Sequence, residues 1–134
     1  MTIESALNER NRDYAWSFGE PVPDELDDFI SAFTEYNTEL DPDVPVRDFQ
    51  LLDAPATVVR FSGIPDNDEA DDYVDMEVSI QAEDGGPLRF LEFMFRLHTQ
   101  VARFLERADY EFYEGLTFVK MRDGVPVLQL MQGS

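Results

Sequence analysis

The stretch Pro87 to Ala108 reads PLRFLEFMFRLHTQVARFLERA and limits the fold more than any other part of the chain. Leu88, Phe90, Leu91, Phe93, Met94, Phe95, Leu97, Val101, Phe104 and Leu105 are apolar. At about 3.6 residues per turn they cover most of a helical cylinder. What is left is one narrow polar stripe of Arg89, Glu92, Arg96, Gln100, Arg103 and Arg107. A helix this apolar has to be wrapped by other elements, so it is read as the core helix of the fold.

The flanking segments supply those elements. Asp24 to Leu40 reads as an amphipathic helix with Leu26, Phe29, Ile30, Phe33, Asn37 and Leu40 along one side. Asp24 is expected at its N-cap, with Asp27 three residues on. Asp41-Pro42-Asp43-Val44-Pro45 ends it, because proline cannot continue a helix. Val46 to Leu52 reads as an edge strand and Thr57 to Phe61 as a second strand. Tyr73 to Glu83 alternates cleanly, with Val74, Met76, Val78, Ile80 and Ala82 on one face and Asp75, Glu77, Ser79, Gln81 and Glu83 on the other. After the core helix, 112–122 and 125–132 flank Asp123-Gly124, a two-residue hairpin signal. A plain turn there pairs Val119 with Leu128 and Thr117 with Leu130, and sets Phe118 and Val127 on the opposite face. Both hairpin faces are thus apolar. One packs on the core helix, and the other needs a cover: the N-terminal segment, a second subunit or a partner. In residues 1–20, Ile3, Ala6 and Leu7 suit a short amphipathic turn, and the alternating Tyr14, Trp16 and Phe18 suit a segment docked on this domain. The expected fold is a single α+β domain over 1–134. It has two layers: an antiparallel sheet of four to five strands packed on one long central helix, and a second amphipathic helix near the N-terminus.

With 43% hydrophobic and 13% aromatic residues, the chain can build a core despite its charge. It has no cysteine, which removes disulfides, thiolate metal sites and thiol chemistry and fits a reducing cytoplasm. No apolar run approaches the ~20 residues of a membrane span. Acids outnumber bases 29 to 10, for a net charge of −19. Such a chain repels phosphate backbones and anionic membranes, so neither direct nucleic-acid binding nor membrane binding is expected. Nine of the ten bases are arginine and one is lysine, Lys120. That bias, with abundant aspartate, is also found where a charged surface stays hydrated in concentrated salt, and acidity would then be solvation rather than function.

Few residues carry chemistry. His98 is the only histidine, and no oriented Ser or carboxylate is signalled beside it, so it reads as a satisfied structural histidine. Laid on the EF-hand template, Asp66, Asp68, Asp72 and Glu77 take the first, third, seventh and twelfth positions. Ala70 and Asp71, however, fall where an oxygen ligand and a glycine are needed, and no helices flank the loop. It reads as a solvated charge run. Phosphate-binding glycine loops are absent. Neither metal nor cofactor is expected, and no catalytic residue can be selected. The arginines of the core helix are expected to pair locally, Arg96 with Glu92 among them, the alternative being a row presented to an acidic partner.

The preferred reading is a non-enzymatic protein-binding domain that engages a basic protein partner. Its partner-binding residues would be Asp24, Asp27, Asp28, Glu35 and Glu39 on the first helix and Asp66, Asp68, Asp71 and Asp72 in the loop, with Tyr36 and Tyr73 as aromatic anchors. Carboxylates there would stand where phosphates stand on a basic site. Immunity proteins, antitoxins and phage-encoded decoys share that physical principle, an analogy of mechanism rather than of sequence. The order helix, strands, helix, strands resembles the layout of type III secretion chaperones, which implies a homodimer. The third helix of that family would be missing after Met131.

Overall fold

The computed structural model describes residues 7–65, 73–105 and 110–133. A 3-10 turn at Glu9–Arg12 is followed by β1 (Trp16–Ser17), α1 (Leu26–Leu40), β2 (Gln50–Leu52), β3 (Ala56–Gly63), β4 (Val74–Gln81), β5 (Leu88–Arg89), α2 (Phe90–Leu105), β6 (Phe112–Arg122) and β7 (Val125–Gly133). The turn expected around Ile3 and Ala6 lies outside the described residues.

The apolar run becomes α2 and buries Phe90, Leu91, Phe93, Met94, Leu97, His98, Val101 and Leu105. It begins later than its pattern suggests, because Leu88 and Arg89 pair with β2. Asp48 marks the switch from strand to helix. Its Oδ1 accepts from the Leu91 N–H at 3.0 Å, a cap supplied from a distant loop, and its other oxygen meets Arg89 at 3.4 Å. Of the strand expected at Val46 to Leu52, only Gln50–Leu52 forms. The chain before it is tied instead to Tyr14, whose hydroxyl donates to the Pro45 carbonyl at 3.0 Å and accepts the Arg47 N–H at 2.8 Å.

The main sheet has the order β1-β6-β7-β3-β4. It is mixed and not the antiparallel sheet expected, since β3 and β7 run parallel with Val58 opposite Val127 and Arg60 opposite Gln129. The reason lies in the hairpin. Pro126, Val127 and Leu128 are buried in succession, whereas Val119, Lys120 and Met121 of β6 are exposed. The strand that is apolar on both faces takes the centre, beside β3. That places the second strand of the hairpin, not the first, against β3 and fixes a parallel pairing. The Asp123-Gly124 turn has positive φ at both residues (53° and 81°), and its first pairs follow the expected register, Arg122 with Val125 and Lys120 with Val127. The register then slips at a bulge around Val119, so Phe118 rather than Val119 faces Leu128 and Thr117 faces Gln129. Phe118 consequently packs on the core and not on the opposite face.

α1 (15 residues) and α2 (16 residues) are nearly equal in length, so the helical part is a pair rather than one long helix with a minor companion. Phe29 and Phe33 of α1 are fully buried, with Phe29 5.7 Å from Phe95 of α2, ring centre to ring centre. Glu25, not Asp24, occupies the N-cap, and no side chain caps the helix there. Asn37 stands in the apolar stripe for a reason the pattern does not show. Its amide accepts from the Ala15 N–H at 2.8 Å and donates to the Ala15 carbonyl at 2.9 Å and the Phe33 carbonyl at 3.0 Å. It treats residue 15 as a neighbouring strand would. Tyr14, Trp16 and Phe18 are all buried, so this aromatic segment docks on its own chain as expected.

The outer face of the sheet has its own cover. Arg122 of β6 grips Glu77 of β4 with two bonds, 2.8 and 2.9 Å, and Arg60 of β3 joins at 3.0 Å. This trio reaches across β7 and β3, over the outward side chains of the two central strands, where Val127 is fully buried. Neither the N-terminal segment nor a second molecule is needed at that point.

Candidate partner-binding surface

Among the described residues, arginines form ion pairs on the sheet, on the 3-10 turn and along α2. Arg96 meets Glu92 at 3.0 Å and Glu83 at 3.7 Å, Arg89 meets Asp48, and Arg10 meets Asp13 at 3.7 Å. Arg103 lies over the Phe104 ring at 4.5 Å, and Arg107 is outside the described residues. The pairing expected of Arg96 is present. Asp24, Asp27, Asp28, Glu35 and Glu39 are all exposed, and none of them takes part in an ion pair with a described residue.

α1 divides these acids. Stepping about 100° per residue, it puts Asp28, Glu35 and Glu39 in one narrow sector, with Asp27 about 100° round from them. Glu35 and Glu39 form one wall of a groove of about 430 Å³ between α1 and the Pro21–Pro23 segment. Glu20, Pro21, Val22 and Pro23 form the other wall, and Trp16, Ala32 and Tyr36 line it between them. The two prolines hold their wall in a fixed backbone conformation. Tyr36 packs edge-on against Trp16 at 5.3 Å between ring centres. Burial, then the carboxylates of Glu20 and Glu111, push the Tyr36 hydroxyl above its ordinary pKa, so it stays protonated.

The groove is braced from behind by His98. The Trp16 indole N–H donates to His98 Nδ1 at 3.1 Å, and His98 Nε2 lies 3.0 Å from the Glu20 carbonyl. An accepting Nδ1 assigns the proton to Nε2, so the ring is neutral and both nitrogens are used. Burial depresses its pKa, although the Glu20 and Phe18 backbone groups oppose that shift.

Of the second half of the expected surface, only Tyr73 is described. Asp66, Asp68, Asp71 and Asp72 lie outside the described residues. Tyr73 lines a separate groove of about 430 Å³ on the outer face of the sheet, with Tyr110, Met131 and Ser62, its ring 5.2 Å from that of Tyr110. Among the described residues, no charged one lines it. Tyr36 and Tyr73 therefore belong to different surfaces. Glu77, at the last position of the calcium template, is engaged by Arg60 and Arg122, whose hydrogen bonds bring its carboxyl down to about 2.

Sequence reasoning did not find Trp16, Glu20 or the Pro21-Val22-Pro23 wall. The available signal was the join itself, an acid followed by a rigid x-Pro-x-Pro step just ahead of an acidic helix. No protein-family model, curated protein or solved structure matches the chain.

Proposed function

We propose that the chain is a non-enzymatic, acidic protein-binding domain, of the kind that acts as inhibitor, immunity protein or decoy, and that its α1 side engages a basic surface of a partner protein. One observation carries this reading: three carboxylates, Glu20, Glu35 and Glu39, line one groove beside α1, and none of them has an ion pair with a described residue. Carboxylates left unpaired on one side are available to an incoming cationic surface and speed its approach. The test is binding to the basic proteins encoded beside its gene, measured at several salt concentrations. Nanomolar affinity with an on-rate that falls steeply with salt is expected. Association indifferent to salt, or none at all, rejects the proposal.

A second reading, a homodimer, is favoured by the groove at Tyr73, Tyr110 and Met131, whose described lining carries no charge, with Phe112 also exposed on that face. Light scattering at tens of micromolar, a range set by ordinary dimer affinities, decides it: a monomer at both low and high salt removes this reading.

A further inference from the structure

We infer that the groove between α1 and Pro21–Pro23 seats one arginine side chain of an extended basic segment, its guanidinium over Tyr36 and between Glu20 on one wall and Glu35 and Glu39 on the other. This rests on the basic-partner reading above and names what enters.

The chemistry of the walls selects the guest. Three carboxylates line a groove whose other lining is aromatic, proline or aliphatic. An anion is repelled there, and a neutral side chain leaves the carboxylates without partners. Pro21 and Pro23 have no N–H, so that wall recognises a guest through its carboxylate and its apolar surface rather than through backbone donors. Carboxylates on two opposed walls suit a planar fork of five N–H donors better than the point charge of an ammonium. A flat guanidinium also stacks on an aromatic ring, and its three-carbon stem has Val22 and Ala32 to lie against. The Tyr36 hydroxyl makes no hydrogen bond to a described residue and stays protonated beside Glu20 and Glu111. The groove is bounded by prolines and braced by the Trp16–His98 bond, so little ordering is required on binding.

Trp16 is the only tryptophan and lines the groove with its ring against Tyr36, so its fluorescence reports occupancy through Tyr36. The full chain would be titrated at low salt with blocked seven-residue peptides bearing arginine, lysine or citrulline at the same alternate positions among glycines. The expected result is a change in Trp16 emission with the arginine peptide, at least tenfold weaker binding of the lysine peptide, and none of citrulline. In the Glu35→Gln, Glu39→Gln double variant, arginine-peptide binding falls at least tenfold; in Asp53→Asn, an exposed acid outside the groove, it is unchanged. Thermal melts confirm that both variants are folded. Equal binding of arginine and lysine overturns the guanidinium assignment. Binding that leaves Trp16 emission and the double variant unaffected overturns the groove while the basic-partner reading stands. No binding of any basic peptide or basic protein overturns both.

Discussion

The indole of Trp16 donates to Nδ1 of His98 at 3.1 Å, joining the N-terminal segment to the middle of α2 inside a fully buried aromatic cluster. Phe18 and Phe29 lie edge-on to the same imidazole at 5.7 and 6.3 Å between ring centres. The only histidine and the only tryptophan are thus one structural unit. It holds the inner side of the groove without being offered to solvent.

This unit makes stability depend on pH. The folded chain keeps His98 neutral, with its pKa depressed below the ordinary 6.5, while the unfolded chain protonates it at its ordinary value. The contribution is therefore complete above 6.5 and is lost as pH falls from there towards the depressed folded value. Urea unfolding followed through Trp16 fluorescence will show a midpoint that drops across that window. In His98→Phe the part of the slope due to this residue disappears. That variant also loses about 1–3 kcal/mol at neutral pH, because the Trp16 N–H is left buried and unpaired.

Asn37→Leu tests whether a buried amide can outweigh a hydrophobic pattern. Leucine would complete the apolar stripe of α1, and periodicity alone favours it. It would also leave both backbone groups of Ala15 without their partner. The expected loss is about 2–4 kcal/mol in chemical denaturation. A variant as stable as the parent would show that water replaces the amide.

The Arg60–Glu77–Arg122 trio predicts an acid shift visible by carbon NMR. The Glu77 carboxyl should titrate near about 2 instead of 4.5 and move back towards the ordinary value in Arg122→Gln. A carboxyl held low contributes above its unfolded pKa and loses that contribution as pH falls through the folded one. The trio is exposed, so the stability effect is small and weakens in salt.

Salt separates two origins of the acidity. If the unpaired α1 carboxylates only repel one another, the melting temperature rises as salt screens them and levels off by a few tenths molar, where the Debye length is well under about 10 Å. If the surface is built for concentrated salt, stability keeps climbing into molar KCl. Thermal melts from low salt upward distinguish the two, and a midpoint indifferent to salt rejects both.

The sequence made legible the elements whose signals are local. The density of α2, the stripe of α1, the alternation of β4 and the Asp123-Gly124 turn each appear at their places. The parallel pairing of β3 with β7 was not legible, because it depends on which strand of the hairpin is buried on both faces. The one hint was charge: β6 carries Glu114, Lys120 and Arg122 and β7 none, which marks β7 as the more central strand without naming its neighbour. The register slip at Val119 and the role of Asn37 were hidden for a similar reason: both are answers to backbone groups far away in sequence. The acids of α1 could be named from the chain, but Trp16 and Glu20 reach Glu35 and Glu39 only through the docking of the N-terminal segment, which periodicity does not encode.

The bulge at Val119 has a consequence for how the molecule behaves in company. β1 accompanies only Tyr113 and Phe112 of β6, and Asn11 meets the Leu116 N–H just beyond, leaving the tip of an apolar hairpin at the rim of the sheet. Such a rim is a template on which other chains can add and grow into aggregates. Here the slipped register breaks the even spacing an added strand would need, and Lys120 stands beside the break. At the opposite rim the Gln100 amide already occupies the Ser79 carbonyl at 2.7 Å. The spacing an added strand needs is thus interrupted twice along β6, at Val119 and between Tyr113 and Leu116, and deleting Val119 is expected to make the chain aggregate more readily when crowded.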